Sequence, residues 1–454
     1  MNIPQRFRAS IIASLLVGLA LCPRATLGAS HEILVIEGAR LIDGTGRGPV
    51  ENAEIVIKDG KIVMAGKKAP HRFPSGARLL RLNGLTIIPA LIDLHTHLGQ
   101  TKNGLEAAPD AYSEENVRAQ LQKLLRYGVG TIISLGADQD LIDKLRAEQR
   151  AGRLEGARFY TAGLGFGVVG GYPPGIARPA DVHRPRTAQE ARRDVRELAR
   201  HRPDFVKIWV DDDFGRLPKT QPEIYRAIIE EAHRQHTRVL AHVFYLADAQ
   251  GLVQAGVDAL AHSVRDQPVN QELIDAMKSR GVLYIPTLVR DESTFAYADG
   301  PVWLGDSFFR AGVEADVLAQ LESAAFQEKF RSNPDLPRLR AAFEMGKKNL
   351  RTLFDAGVKI GFGTDAGPPQ RFQGYFEHRE LQLMVEAGLT PMQAIVCATR
   401  NAGEFLGGEV GTLEPGRRAD FLVLGANPLD DIHNTEKLSA VWQAGQPLKP
   451  LGAR

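Results

Sequence analysis

The sequence predicts an α/β protein in which a (β/α)8 TIM barrel is joined to a small β-sandwich domain built from both termini. Three observations lead to this prediction. Eight apolar segments of strand length alternate with amphipathic helical stretches through the middle of the chain. Short strand patterns separated by turn residues occur on both sides of that region. The 454 residues, 44% hydrophobic and 24% charged, are enough for a large core and an accessory module.

The first residues have the pattern of an export signal. Arg6 and Arg8 precede an apolar run over 11–21, and small residues lead to Leu27-Gly28-Ala29. We therefore expect residues 1–29 to be a signal peptide and the protein to be periplasmic or secreted. The apolar run is too short to cross a bilayer, so no membrane span is expected.

Composition excludes several classes of function. Lys and Arg number 56 against 54 Asp and Glu, and a formal charge of +2 gives no indication of a nucleic-acid partner. Beyond the signal, Cys397 is the only cysteine, and it lies in a helical apolar pattern. We expect it to be a buried hydrophobe, which excludes a disulfide and thiol catalysis.

The sandwich domain is predicted from residues 30–84 and 407–454. Its strand patterns cover 33–36, 53–57, 62–63, 79–82, 419–424 and 440–445. Asp59-Gly60 has the composition of a hairpin turn between the second and third of these strands.

The barrel is predicted over residues 85–406. Its strands are expected at 86–94, 131–135, 158–161, 205–210, 238–242, 259–262, 283–288 and 359–363, with helical stretches that include 113–127, 221–236, 248–255 and 271–280. The connection after the seventh strand, about 291–353, is unusually long. We interpret it as a helical insertion at the barrel mouth and a candidate lid.

Two histidines end the first barrel strand. In Ile92-Asp93-Leu94-His95-Thr96-His97, the strand period of two places both imidazoles on one face. Catalytic groups of barrels lie at the carboxyl ends of the strands, where this pair would be a metal-ligand arrangement. A His-X-His pair alone is a weak signal of metal binding.

Lys207 is the only charge in the apolar strand Phe205-Val206-Lys207-Ile208-Trp209-Val210. A buried ammonium is costly unless it is paired, so the side chain either reaches the rim, pairs with a carboxylate, or has a lowered pKa. In the last case the neutral amine is able to react with CO2. The carbamate formed would be an anionic ligand with two oxygens that bridges two divalent cations.

Three further polar residues end later strands: His242, His262 and Asp365. Each taken singly has an ordinary interpretation as a core or rim residue. All six together, at the carboxyl ends of strands one, four, five, six and eight, predict a two-metal hydrolytic site.

This set of six residues resembles the ligand set of the binuclear amidohydrolase superfamily. Two sequence segments also resemble that family: Pro89-Ala90-Leu91-Ile92-Asp93, before the two histidines, and Gly411–Phe421. Within it, the chain is most similar to the imidazolonepropionase-related branch, which includes Xaa-Pro and other dipeptidases. The resemblance implies that His95, His97 and Asp365 hold one metal, that His242 and His262 hold the second, and that carboxylated Lys207 bridges them.

The expected reaction is hydrolysis of an amide or peptide bond, in a dipeptide or an N-acyl amino acid. A hydroxide shared by the two cations would attack the carbonyl carbon, while Asp365 takes its proton and returns it to the leaving nitrogen. Zinc suits the nitrogen and oxygen ligands, and manganese, cobalt and iron are alternatives. The partner is a small-molecule substrate, and relatives often form homo-oligomers.

Four residues near the mouth are candidate substrate contacts. Arg265 and Arg290 suit a carboxylate, although Arg265 has Asp211 and Asp266 as alternative partners. Tyr245 would polarise the carbonyl oxygen, and Tyr172 stands after a Gly-Gly pair where the related branch often carries His.

Three other interpretations stay open at this point. The same metals suit a cyclic-amide or lactone hydrolase. A deaminase is less favoured because the mononuclear pattern lacks the lysine of strand four, and the least favoured is a metal- or ligand-binding barrel without turnover.

Overall fold

The structure, a computed structural model, describes residues 33–68, 76–174 and 182–448. The predicted signal peptide, residues 1–29, lies outside this part of the chain. Within it, no helix is both long and apolar enough to cross a membrane.

The strands of the described residues are, in chain order, β1 Ile33–Leu41, β2 Val50–Lys58, β3 Lys61–Lys67, β4 Arg78–Arg81, β5 Thr86–Pro89, β6 Leu91–Thr96, β7 Val129–Ser134, β8 Arg158–Thr161, β9 Gly165–Phe166, β10 Val182–His183, β11 Phe205–Trp209, β12 Arg238–His242, β13 Ala259–Ala261, β14 Leu283–Ile285, β15 Phe421–Leu424, β16 Leu438–Gln443 and β17 Gln446–Leu448.

The α-helices are α1 Glu114–Arg126, α2 Leu141–Arg150, α3 Ala188–Arg200, α4 Pro222–Arg234, α5 Leu246–Ala255, α6 Gln271–Arg280, α7 Leu288–Ser293, α8 Ser307–Arg310, α9 Ala315–Leu321, α10 Ala324–Arg331, α11 Leu336–Asp355, α12 Tyr375–Glu386, α13 Pro391–Val396 and α14 Ala402–Phe405. A π-helical turn, Cys397–Asn401, joins the last two, and Cys397 is fully buried, as predicted.

Strands from both ends of the chain share one eight-stranded sheet. Its order is β17-β16-β15-β5-β1-β2-β3, and β4 pairs with β1. The hairpin between β2 and β3 turns at Asp59 and Gly60, which both have positive φ, as a two-residue type I′ turn requires. Leu34, Ile36, Ile55, Phe421 and Trp442 form part of the separate core of this sheet.

The middle of the chain forms two parallel sheets. One has the order β6-β7-β8, and the other has β10-β9-β11-β12-β13-β14. Their strands are buried on both faces, as strands covered by helices must be. The alternation of strand and helix that the sequence predicts is therefore present, although the described residues do not form one continuous ladder of eight strands.

Three predicted strands differ in the structure. The strand expected at 86–94 is two strands, because the chain leaves the terminal sheet at Ala90, whose N–H donates to Asp420 O at 3.0 Å. The strand expected at 283–288 ends at Ile285, since Pro286 has no N–H to donate and Thr287 has a left-handed φ of 48°.

The segment 359–363, the predicted eighth strand, is not a regular strand. It still bonds to both parallel sheets: Gly361 N–H donates to Tyr284 O at 2.8 Å, and Leu94 N–H donates to Phe362 O at 2.9 Å. A Cβ on Gly363 would lie 2.8 Å from the Cβ of His95, so the close approach requires glycine. This contact brings the end of the segment beside the two histidines of β6 and its following residue.

Helices α7 to α11 fill the long connection after β14. The longest of them, α11, is held by Asn349, which is 1% exposed. Its amide donates to Val264 O at 2.8 Å and Gln267 O at 2.9 Å, and its oxygen accepts from Val269 N–H at 2.9 Å. One side chain thus fixes α11 against the loop that follows β13.

Replacing this side chain tests how much the anchor contributes. Asn349→Ala leaves three backbone groups without this partner, of which those of Val264 and Val269 are buried, and we expect it to lower the free energy of unfolding by ~3 kcal/mol. Denaturant unfolding measures the change. Lys348→Ala, on the exposed side of the same helix, is the matched control and should change stability by less than ~0.5 kcal/mol. Equal effects of the two substitutions would show that Asn349 is not the anchor.

Candidate metal centre

The two histidines of the first parallel strand point into the interior. His95 is fully buried and His97 is 8% exposed, and their ring centroids are 5.5 Å apart. Burial and the nearby Lys207 hold the pKa of His95 well below its usual value. A neutral imidazole retains a lone pair, which is the form that binds a metal. Among the described residues, His95 Nδ1 is a buried nitrogen without a hydrogen-bond partner.

Lys207 is completely buried in β11, so its side chain does not reach the rim, which was one of the possibilities that the sequence left open. Its Nζ lies 3.3 Å from His95 Nε2 and forms no ion pair with a carboxylate in the described part of the chain. Burial lowers the pKa of this amine to about 7. The amine is therefore partly neutral near physiological pH, the state in which it is nucleophilic.

His242 and His262 stand at the ends of neighbouring strands, with ring centroids 4.3 Å apart. The ring of His262 is also 4.5 Å from that of His95, so these imidazoles form a continuous cluster. Burial lowers the pKa of His242 to about 4 and that of His262 well below its usual value.

Asp365 joins the remaining groups. Its Oδ1 lies 2.8 Å from His97 Nε2 and 3.3 Å from His95 Nε2, and its Oδ2 accepts a hydrogen bond from Arg371. Burial alone would raise the pKa of this carboxyl, but Arg371 and the two histidines lower it well below its usual value. Asp365 is thus an ionised acceptor in a buried site.

The sequence analysis missed the side chains that orient the imidazoles. His242 Nε2 lies 2.7 Å from Asp211 Oδ2, and His262 Nδ1 lies 2.7 Å from Thr287 Oγ1. A partner on one ring nitrogen fixes the tautomer and leaves the other nitrogen for a metal. The only signals in the sequence were that Asp211 follows the predicted strand 205–210 and that Thr287 lies near the end of the predicted strand 283–288.

Asp93 ties the first strand to the segment that carries Asp365. Its carboxylate accepts from His95 N–H at 2.7 Å and from the N–H and hydroxyl of Thr364. Burial raises the pKa of Asp93, which also contacts the buried Glu377.

Three residues around the cluster have left-handed backbone conformations that are uncommon for residues other than glycine. The φ angles are 75° at His262, 48° at Thr287 and 57° at Asp365. Such residues persist only where their surroundings fix them, and they concentrate at functional sites.

The predicted substrate contacts are only partly brought together. Arg290 Nη2 lies 3.3 Å from the hydroxyl of Tyr172, whose ring is 4.6 Å from that of His242. Arg265 is 3% exposed and lies 3.2 Å from Asp291 Oδ1, not in an ion pair with Asp266. The hydroxyl of Tyr245 donates to Asp212 at 2.7 Å, which directs it to the neighbouring loop.

A cleft of ≈ 280 Å³ lies beside the cluster. Tyr172, Asp211, Arg265 and Arg290 line its inner part, and Asn333, Asp335, Leu339 and Ala342 from the long connection line its outer part. A larger cavity of ≈ 400 Å³ borders α2 and α3. None of the six predicted ligands lines either cavity, but three residues of the smaller cleft adjoin them: Tyr172 and Asp211 contact His242, and Arg290 Nε lies 3.7 Å from Asp365 Oδ2. The smaller cleft is therefore the candidate substrate site.

The residues fit a divalent metal centre. Ligand atoms of His95, His262 and Asp365 all lie within 4.8 Å of one another. Imidazole and carboxylate groups are the ligands that zinc takes in catalytic sites, and the Nε2 atom of His95 faces Asp365 and Lys207 at 3.3 Å each.

Comparisons with known proteins find relatives that cover most of the chain. Ochratoxinase from Aspergillus niger is 26% identical over 463 aligned residues, which cover 93% of this chain and 88% of that protein. Imidazolonepropionase from Streptomyces griseus is 23% identical, over 91% of this chain and 96% of that protein. The solved structure of a Xaa-Pro dipeptidase with methionine bound in its active site has a TM-score of 0.73, at 23% identity, and covers 92% of this chain and all of that one.

The sequence model of the amidohydrolase family matches residues 86–450, which is most of the chain and includes all six predicted ligands. The chain therefore belongs to the amidohydrolase family and is a hydrolase of amide and related carbon–nitrogen bonds, as its sequence motifs predict.

Proposed function

We propose that the protein is an exported, binuclear metal-dependent amidohydrolase that cleaves the amide bond of a dipeptide or an N-acyl amino acid. The observation that carries this proposal is the cluster of four imidazoles, one buried amine and one carboxylate at the ends of parallel strands. In this proposal, the parallel strands and segment 359–366 form the (β/α)8 barrel, and the terminal sheet forms the sandwich domain. The pattern of residues 1–29 supports export.

The ligands divide into two groups. His95, His97 and Asp365 would hold one cation, and His242 and His262 the other. Bound there, divalent cations, zinc or alternatively manganese, cobalt or iron, would lower the pKa of water and polarise the substrate carbonyl. Asp365 accepts the proton of the attacking water and returns it to the leaving nitrogen. Tyr172 lines the cleft, and its ring lies 4.6 Å from the imidazole of His242.

Lys207 is proposed to be carboxylated. Its nitrogen forms a bond to the carbon of CO2 and releases one proton, which gives a carbamate with one negative charge. The support is geometric: the amine is fully buried, 3.3 Å from His95, and has no carboxylate partner among the described residues. The carbamate would convert an unpaired buried amine into a ligand for both cations.

Substitution of this lysine tests the proposal. We expect the wild type to contain about two divalent ions per chain. Lys207→Ala should lose metal and at least ~100-fold of its activity, because the bridging carboxylate is gone. Formate or acetate should restore part of the activity by taking the place of that carboxylate. Metal analysis and amide hydrolysis measure the two effects.

The matched control is Lys359→Ala, a lysine on the outside of the molecule that pairs with Glu404; it should keep both ions and full activity. Two ions and unchanged turnover in Lys207→Ala would contradict the bridging role, and so would an unmodified amine in mass spectrometry of the intact, metal-loaded protein.

Asp211 provides a second test through the orientation of His242. Asp211→Asn keeps the shape but removes the charge that holds the Nε2–H tautomer, so we expect metal affinity to fall by about 10- to 100-fold. Competition with a chelator measures this change. Asp212→Asn, one residue along, is the control, because Asp212 bonds to Tyr245 and Lys219 instead. The positioning role is wrong if both variants bind metal equally well.

A further inference from the structure

The inner wall of the cleft has buried polar atoms that lack partners. Arg265 Nη2, Arg290 Nε and Asp291 Oδ2 are each buried and form no hydrogen bond with the described residues. The three side chains are otherwise well held: Arg265 Nη1 donates to Val243 O at 3.0 Å, and Arg290 Nη1 lies 2.8 Å from Asp291 Oδ1. A buried donor or acceptor without a partner is costly in free energy. A ligand group that forms a hydrogen bond with it therefore gains binding energy.

The two guanidinium groups of this wall also share a single carboxylate partner. Asp291 Oδ1 is shared by the two guanidinium groups, at 3.2 Å from Arg265 Nε and 2.8 Å from Arg290 Nη1. The next carboxylate, Asp365, is 3.7 Å from Arg290 Nε and already paired with Arg371. Asp211, the other carboxylate of this wall, is paired with His242, so Asp291 alone pairs with both guanidinium groups of the wall. This leaves a place for a carboxylate of the ligand.

The outer wall has apolar and aromatic side chains beside its paired polar ones. Phe214 and Phe244 pack edge to face with centroids 5.2 Å apart, and Leu339 and Ala342 of α11 face the same cleft. The acidic groups at this end are paired, since Asp213 and Asp335 both bind Arg216. This wall suits a large apolar or aromatic side chain better than a cationic one.

We propose that the cleft binds the amine half of the substrate as a secondary amide of an α-amino acid with a large apolar or aromatic side chain. This inference rests on the proposed function. Arg265 and Arg290 bind the α-carboxylate, Asp291 Oδ2 accepts the N–H of the scissile amide, and Phe214, Phe244 and Leu339 contact the side chain. A substrate with proline on the amine side has no N–H for Asp291 and is disfavoured.

A series of acylated amino acids separates these contacts. The reference substrates for the metal-loaded enzyme are N-acetyl- and N-benzoyl-L-phenylalanine. They are compared with the same acyl derivatives of N-methyl-phenylalanine, phenylalaninamide, proline, glycine and lysine. The release of the amine gives kcat/KM for each compound. We expect phenylalanine to exceed the N-methyl, proline, glycine and lysine compounds by at least ~10-fold. The amide, which lacks the negative charge, should be at least ~100-fold poorer.

The outcomes are distinguishable. Hydrolysis of some of these amides with equal rates, or with a preference for proline, lysine or the phenylalaninamide compound, overturns this inference and leaves the proposed function standing. If none of them and no dipeptide is hydrolysed by protein that contains its metal, the proposed function fails as well.

The outer wall is tested by substitution. Leu339→Ala and Phe214→Ala should lower kcat/KM for the phenylalanine compound by about 10-fold and leave that for the glycine compound within about 2-fold. Val302→Ala is the control, since Val302 is 96% exposed and lies outside the cleft. Inhibition by free L-phenylalanine, compared with L-phenylalaninamide, gives a second measurement that does not depend on turnover of a particular acyl group. Equal loss for both substrates, or equal inhibition by both amines, contradicts the proposal.

Discussion

A completely buried primary amine that forms no ion pair with the described residues is the constraint that organises this site. Lys207 lies among imidazoles that burial keeps neutral, and Asp365, the carboxylate of the cluster, is paired with Arg371. A protonated amine there would be costly, and a neutral amine would gain little from its surroundings. Reaction with CO2 removes the difficulty only if cations are present to balance the new charge. Carboxylation of Lys207 and metal binding are therefore proposed together, because each makes the other more favourable.

The parallel strands explain why six residues so far apart in sequence meet. Each strand delivers one or two side chains at its carboxyl end, and the hydrogen bonds of Asp93 fix the first strand against the segment before Asp365. The left-handed conformations of His262, Thr287 and Asp365 turn these residues inward at the point where the strands end. Backbone strain at this place is compensated by the hydrogen bonds and packing around it.

Much of this arrangement follows from the sequence. The strand period predicted His95 and His97 on one face, and a lone charge in an apolar strand singled out Lys207, because both signals are local. Asp211, Thr287 and Arg371 were not predicted as partners, since their hydrogen bonds join segments whose relative position depends on the packing of the whole fold. Helix ends followed the capping residues closely: α6 begins and ends where the pattern predicted. The split of 86–94 into two strands was missed because an apolar run does not reveal which sheet each half joins.

In the proposed function, one part of the chain carries out the hydrolysis and another part selects the substrate. The ligand cluster lies on or directly after the parallel strands, whereas the outer wall of the cleft comes from α11 and the loop after β11. These two outer parts hold each other: Arg216 pairs with Asp335, and the guanidinium of Arg338 lies 3.9 Å from the centroid of Phe214. Because these contacts do not involve the six proposed ligands, changes in the outer wall can alter the amino acid that is bound without moving the reacting groups.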